Sequence, residues 1–358
     1  MVEGGPRITH SVESVSEGPD SRAVEIAGKG NYVDILETVR KEDLLEKEMD
    51  RVREEYGLDE LSFLNDADRE MFTVLDLYDP VTAKHCLHTY EIAREKMEKE
   101  VMPGESLAQV LEKNESITPD QFYRACLFHD IGKVEVPRVV IRHHMSEGHM
   151  LECMHHLYHE GKILDTLGLA PSASDAEIDG ALKEHALRSI DVVPAREVLS
   201  LEELAEVQRF GYSGDETLMD IIKPHEVFSG EILKNAGYTL ESKIAALHHN
   251  YNNEKPEQPF AVSLLHMSVD LSEMLHIADL IEALSSSSRP YKKIPFSMPR
   301  VLHVIVEHVQ MGKITPVAAR FWLEDALHEY EASCGTQTEE DMAHLVVVRQ
   351  FLAETDGV

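Results

Sequence analysis

Positive charge is what this chain has least of. Its 34 lysines and arginines face 66 aspartates and glutamates, a formal net charge of -32 over 358 residues. Such a surface gains no counterion release from a polyanion, so a nucleic acid polymer is not an expected partner. An acidic membrane is disfavoured for the same reason. Cysteine is also scarce. Cys86, Cys126, Cys153 and Cys334 include no C-x-x-C pair, which excludes a disulfide framework and reads as buried or idle thiols in a reducing compartment. No apolar run approaches the roughly 18 residues a membrane span needs. The polar stretch Met1 to Arg22 has no apolar h-region and is not read as a signal peptide. Together these absences lead to the expectation of a cytoplasmic protein.

What is present is enough apolar material for a core. Hydrophobic residues make up 43% of the chain, with unremarkable glycine and proline, so one large domain or two small ones are expected. Residues 1–30, rich in Ser, Gly, Glu and Pro, are expected as a disordered tail. Residues 31–69 read as an N-terminal helical segment, with Ile35, Leu36, Val39, Leu44 and Leu45 as its apolar stripe. Pro80 suits the first turn of a helix, and Asp79 suits its N-cap. Phe122, Ala125, Cys126 and His129 recur at helical spacing, as do Ile244, Leu247 and His248. Met274, Ile277, Leu280, Ile281 and Leu284 form another such set. Period-two alternation is rare, so the expected fold class is all-α, a helical bundle. A histidine-rich stretch at about 142–200, broken by Pro171-Ser172-Ala173-Ser174, reads as an inserted helical element. Residues 336–358 read as a closing helix or tail.

The most informative feature is the doublet His129-Asp130 within Leu127-Phe128-His129-Asp130-Ile131-Gly132-Lys133. A carboxylate can bridge two cations, and the adjacent imidazole can hold one of them. Lys133 adds a positive charge one turn from Asp130. Further candidate ligands are His85, His225, His248, His249 and Asp279. Each has a plainer reading: a helical surface histidine for His85, a helix N-terminal residue for His225, a solvent-facing pair for His248-His249. Asp279 differs, because an ionised carboxylate on an otherwise apolar helix is costly to bury without a partner. If these residues converge, the chain is a metal-dependent phosphohydrolase. A small phosphate ester then remains compatible with the acidic composition, since bound cations invert the local field.

The order of these residues, followed by Ser288-Arg289-Pro290-Tyr291, resembles the HD-GYP branch of the HD-domain phosphohydrolases over roughly residues 70–335. Thr82-Ala83-Lys84-His85, His129-Asp130-Ile131-Gly132-Lys133, His225 to Leu233, Ala278 to Leu284 and Arg289-Pro290-Tyr291-Lys292-Lys293 carry the resemblance. It implies an HD-domain helical bundle at 70–335. It also implies a two-metal centre ligated by His85, His129, Asp130, His225, His248, His249 and Asp279, with Asp130 bridging. Lys133 would neutralise a substrate phosphate, and Arg289 would contact a phosphate or hold its loop. Val81 stands where some relatives carry a third-metal glutamate, so two metals are expected. Five histidines and two carboxylates suit iron or manganese, with zinc, cobalt or nickel as alternatives.

The sequence departs from the family in four respects. Glu226 and Ser229 replace a family Pro and Gly. The segment Asn250 to Pro259 lacks the Gly-Tyr-Pro triplet. The His129-to-His225 interval carries the long insertion, read as a pocket lid or a homodimer surface. The expected substrate is a phosphodiester such as cyclic di-GMP. The alternatives are another nucleotide or phosphomonoester, or a catalytically silent module that senses or docks.

Weaker signals sit nearby. His143, His144, His149, His155, His156 and His159 crowd the insertion, and His155 and His159 share a helical face. They read as a second metal site or as solvated surface. His276 shares a face with Asp279 and reads as an extra ligand or a partner to one. Glu282 reads as orienting a ligand or capping a loop.

Overall fold

The computed structural model describes residues 19–27, 31–102, 104–113, 117–142, 154–155, 157–161, 168–184, 193–249, 261–264, 267–286, 295–333 and 338–356. The fold class is all-α, as expected. Helices α1 (Ser21–Ala27), α2 (Tyr32–Lys41) and α3 (Leu45–Tyr56) precede α4 (Asp66–Tyr78) and α5 (Pro80–Glu98). Strands β1 (Glu100–Met102) and β2 (Glu105–Ser106) form a short hairpin before α6 (Leu107–Glu112) and α7 (Pro119–Phe128). A 3-10 turn, Ile131–Glu135, leads to α8 (Arg138–Arg142). The insertion contributes α9 (Asp175–Glu184) and α10 (Ala195–Val198), followed by α11 (Leu201–Arg209) and α12 (Leu218–Ile222). Then come α13 (His225–Asn235), α14 (Thr239–Ala245) and the hairpin of β3 (Ala261–Leu264) with β4 (Met267–Asp270). Four helices close the chain: α15 (Leu271–Ser285), α16 (Met298–Gln310), α17 (Pro316–Ser333) and α18 (Glu339–Glu354).

Local chemistry sets the ends of these elements. Asn65 and Asp68 form a reciprocal capping box at α4. Asp79 caps α5 through the Thr82 N–H, with Pro80 in the first turn, as expected. The N-terminal helical segment breaks between α2 and α3 at Asp43, whose φ is 57°.

Two expectations need revision. Residues 1–30 do not behave as a uniform disordered tail, because α1 buries Ala23 and Ile26 in the main core. Residues 1–18 lie outside the described part of the chain. The boundary expected at 69/70 falls inside α4, and Ile35, Val39 and Val52 share one core with the helices that follow. The N-terminal helices thus pack against α4, where their apolar stripe has a surface to bury against.

The main core runs from α1 to α18 and includes Phe72, Phe122, Phe128, Ile277 and Trp322. The insertion has its own small cluster of Met154, Leu157, Tyr158, Ile178, Ala181 and Val193. Two close backbone approaches position the centre of the molecule. Gly132 lies against the start of α13, where a Cβ would collide with the His225 carbonyl and the Ser229 amide. Gly230 lets α13 meet α14, where a Cβ would stand 2.8 Å from Ala246 Cβ. Among the described residues no helix is long and apolar enough to cross a membrane.

Candidate metal centre

The seven proposed ligands do converge. α5 supplies His85. The end of α7 supplies His129, followed directly by Asp130. The first residue of α13 is His225, the bend after α14 supplies His248 and His249, and α15 supplies Asp279. His85, His129, Asp130, His225, His248 and Asp279 are all buried. His249 keeps 21% of its side chain exposed and marks the more open side.

Asp130 lies at the middle. Its Oδ1 is 3.1 Å from His225 Nε2 and 3.7 Å from His248 Nε2. Its Oδ2 is 3.5 Å from both His85 Nε2 and His129 Nε2. Asp279 Oδ1 lies 3.0 Å from His85 Nε2 and 3.8 Å from His129 Nε2, while its Oδ2 lies 3.8 Å from His249 Nδ1. Donor atoms of Asp130, His225, His248 and His249 fall within 4.8 Å of one another, as do those of His85, His129 and Asp130. Asp130 belongs to both sets. A third such set joins His129, His248 and Asp279.

The histidine tautomers decide what this arrangement can hold. His129 Nδ1 donates to the Cys126 carbonyl at 2.8 Å, His225 Nδ1 to Ile222 O at 2.7 Å, and His248 Nδ1 to Ala245 O at 2.6 Å. Each histidine follows a helix and caps a terminal carbonyl three residues back, a group that lacks a partner within the helix. A carbonyl only accepts, so each Nδ1 bears a hydrogen, and each Nε2 points inward, where a neutral ring offers its lone pair. His85 is oriented differently, its Nδ1 paired with Glu282 Oε2 from α15. The inward Nε2 atoms meet at 3.2 Å (His85 and His129) and 3.3 Å (His225 and His248).

Lone pairs facing lone pairs and carboxylates attract a cation. Buried Asp130 Oδ1 accepts no hydrogen bond of good geometry, which fits a metal ligand. In His85, His129, His225 and His248 one ring nitrogen meets the group that orients the ring, which leaves the other for a cation. These buried His and Asp groups could hold metal ions.

The titration behaviour describes the pocket without a cation. Burial opposes ionisation of Asp130, yet Lys133 and His129 outweigh it and hold the carboxyl well below its usual range. Burial likewise opposes Asp279, and its hydrogen bonds to His129 and His85 keep it ionised. Burial and the neighbouring imidazoles hold His249 well below its ordinary value, and burial lowers His225. Burial works against charge on His129 as well, but Asp130 prevails and raises it well above the ordinary value, so without a cation its Nε2 holds a proton that a bound metal would displace. The pocket thus holds two carboxylates in ionised form and draws positive charge between them.

The residues around the ligands behave in several ways. Lys133, in the 3-10 turn, sets its ammonium against Asp130 Oδ2. Glu282 orients His85. His276 does not join the ligand sets: its Nδ1 donates to the His248 carbonyl and its Nε2 faces His308 Nδ1 at 2.9 Å. It therefore fixes the backbone at His248, a candidate ligand. Val81 is exposed on the first turn of α5. Arg289 and the segment Asn250 to Pro259 lie outside the described residues, as do His143, His144, His149 and His156.

Sequence reasoning missed two participants. Ser229 Oγ accepts from the Gly132 N–H at 2.8 Å and ties α13 to the turn bearing Asp130. His308, on α16, holds His276. Ser229 was visible only as a departure from a family glycine, and His308 gave no local signal. A cavity of about 300 Å³ adjoins the site, lined by residues that include His248, His249, Glu273, His276 and Lys313. Scans against family models and searches of curated proteins and of solved structures find no match to this chain.

Proposed function

We propose that this chain is a metal-dependent phosphohydrolase that cleaves a phosphodiester, with a cyclic dinucleotide such as cyclic di-GMP as substrate, in the cytoplasm. One observation carries the reading. Histidines locked in a single tautomer converge on Asp130, a buried carboxylate shared by two donor sets. Two divalent cations, iron or manganese by the mixed nitrogen and oxygen donors, would supply Lewis-acid stabilisation of phosphoryl charge and acidify the attacking water.

The chain's own residues do the rest. Asp130 would be the carboxylate common to both cations. His85, His129 and Asp279 would hold one cation, and His225, His248 and His249 the other. Lys133, with 14% of its side chain exposed next to Asp130, takes a non-bridging phosphate oxygen and offsets the charge that develops there. The adjacent cavity receives the part of the substrate beyond the phosphate, with Lys313 as a second cation on its wall. The resemblance to HD-GYP proteins supports the same reaction.

The altered segment Asn250 to Pro259 favours a second reading, an HD phosphohydrolase acting on another nucleotide or a phosphomonoester. The test is anaerobic purification and metal analysis, followed by a panel of cyclic dinucleotides, linear dinucleotides, nucleotides and phosphomonoesters with Mn²⁺ or Fe²⁺. Cleavage of cyclic di-GMP supports the first reading, and cleavage of other esters alone supports the second. A metal-loaded protein that hydrolyses nothing would leave a silent sensing or docking module.

A further inference from the structure

The insertion carries a second cluster of donor atoms, built from different residues and unconnected to the proposed reaction. His155 and His159 lie one helical turn apart in sequence, and Asp175 and Asp179 lie one turn apart on α9. The two pairs face each other. His155 Nδ1 is 3.6 Å from Asp175 Oδ1, and His159 Nε2 is 3.9 Å from the same oxygen. One ligand atom from each of His155, His159 and Asp175 falls within 4.8 Å of the others.

We propose that His155, His159 and Asp175 form a second cation site, for zinc or a divalent ion of similar preference, that clips the two halves of the insertion together. Asp179 completes it without being a ligand. Its Oδ1 accepts from His155 Nε2 at 2.9 Å, which leaves the Nδ1 lone pair directed at Asp175. A carboxylate behind a histidine is the support that metal-ligating imidazoles use. Tetrahedral zinc with bonds of about 2.0–2.1 Å needs ligand atoms about 3.4 Å apart. His159 and Asp175 have side chains 57% and 81% exposed, so small rotations at the surface close the difference.

The insertion also has a use for such a clip. Its cluster of Met154, Leu157, Tyr158, Ile178, Ala181 and Val193 is separate from the main core and small. Small helical units with little apolar burial commonly depend on a metal or a disulfide. Cys153 is the single cysteine in the insertion sequence, so no disulfide can form within it, and ordinary solvent-exposed ion pairs contribute little. The clip joins residues on either side of the connection 160–174, and its binding free energy would count toward ordering that unit.

The test uses the full chain, stripped with a chelator and titrated with Zn²⁺ against a chromophoric competitor. Wild type is expected to bind one more tight zinc than either His159→Ala or Asp175→Asn. Both substitutions are at the surface, and unchanged circular dichroism confirms that folding is retained. Asp179→Asn is expected to keep the stoichiometry and weaken that one ion 10- to 100-fold. Zinc should slow proteolysis within 160–174 in wild type and not in His159→Ala. Equal zinc stoichiometry in wild type and both ligand variants overturns the proposal. Unchanged affinity in Asp179→Asn overturns the orienting role of that carboxylate. Any zinc taken up by the main centre is common to all four proteins and cancels in the comparison.

Discussion

Gly132→Ala tests the geometry of the centre without touching a ligand. The added Cβ would fall inside contact distance of the His225 carbonyl and the Ser229 amide, and 2.8 Å from Ser229 Oγ. Two of these three atoms are backbone, so no rotamer change relieves the clash. The start of α13 must retreat by roughly 1 Å to restore ordinary contact. Overpacking of this kind costs about 1–3 kcal/mol. The retreat also breaks the bond from Gly132 N–H to Ser229 Oγ, and a buried N–H left without its acceptor costs a further ~1–3 kcal/mol. Alanine recovers only about 0.5–1 kcal/mol of chain entropy. The net loss is therefore about 1–5 kcal/mol, read as a lower urea midpoint in the metal-free protein. Because His225 is the first residue of α13 and sits 3.1 Å from Asp130 Oδ1, the same shift should weaken metal binding about 10- to 100-fold. Ser229→Ala removes the acceptor but not the space, so it should lose only the hydrogen-bond part. A Gly132→Ala protein with the wild-type urea midpoint and full metal content would refute this reasoning.

Asp130→Ala should lose metal from both donor sets, whereas Lys133→Ala should purify with its metal and turn over more slowly; elemental analysis of the two variants separates these roles, and normal metal retention in Asp130→Ala contradicts bridging. Glu282→Gln should weaken metal binding about 10- to 100-fold, measured by chelator competition, because the carboxylate that orients His85 loses its charge. In the metal-free protein, burial lowers His276 from 6.5 to about 4. The folded state then binds its proton less readily than the unfolded chain. Its stabilising contribution is full above pH 6.5 and is lost as pH falls to about 4, a difference of roughly 3 kcal/mol. The stability gap between wild type and His276→Gln should narrow over that window, and a gap independent of pH would count against it.

How far the sequence alone reaches can be judged from individual residues. Helical periodicity, Asp79 with Pro80, and the scarcity of alternating segments were enough for an all-α fold, because caps and apolar stripes act within a turn or two of the chain. The ligand types were legible for a chemical reason: an ionised Asp279 on an apolar helix requires a partner wherever that helix packs. The hairpins of β1 with β2 and β3 with β4 escaped notice, since strands of two to four residues are too short to display a period. The extent of the N-terminal helices in the core was equally hidden, because burial depends on what covers a surface.

Convergence itself belonged to the tertiary structure. His129, His225 and His248 each carry a local device, a helix-end carbonyl three residues back, and sequence could in principle have supplied their tautomers. His85 could not be assigned that way, since its partner Glu282 lies 197 residues further along the chain. Nor could the seating of α13 on Gly132 through Ser229, 97 residues away. The chain chose its donors by short-range chemistry. Only the packing of α5, α7, α13 and α15 brought their lone pairs within reach of one carboxylate, since distances between helices are fixed by core contacts that no local pattern encodes.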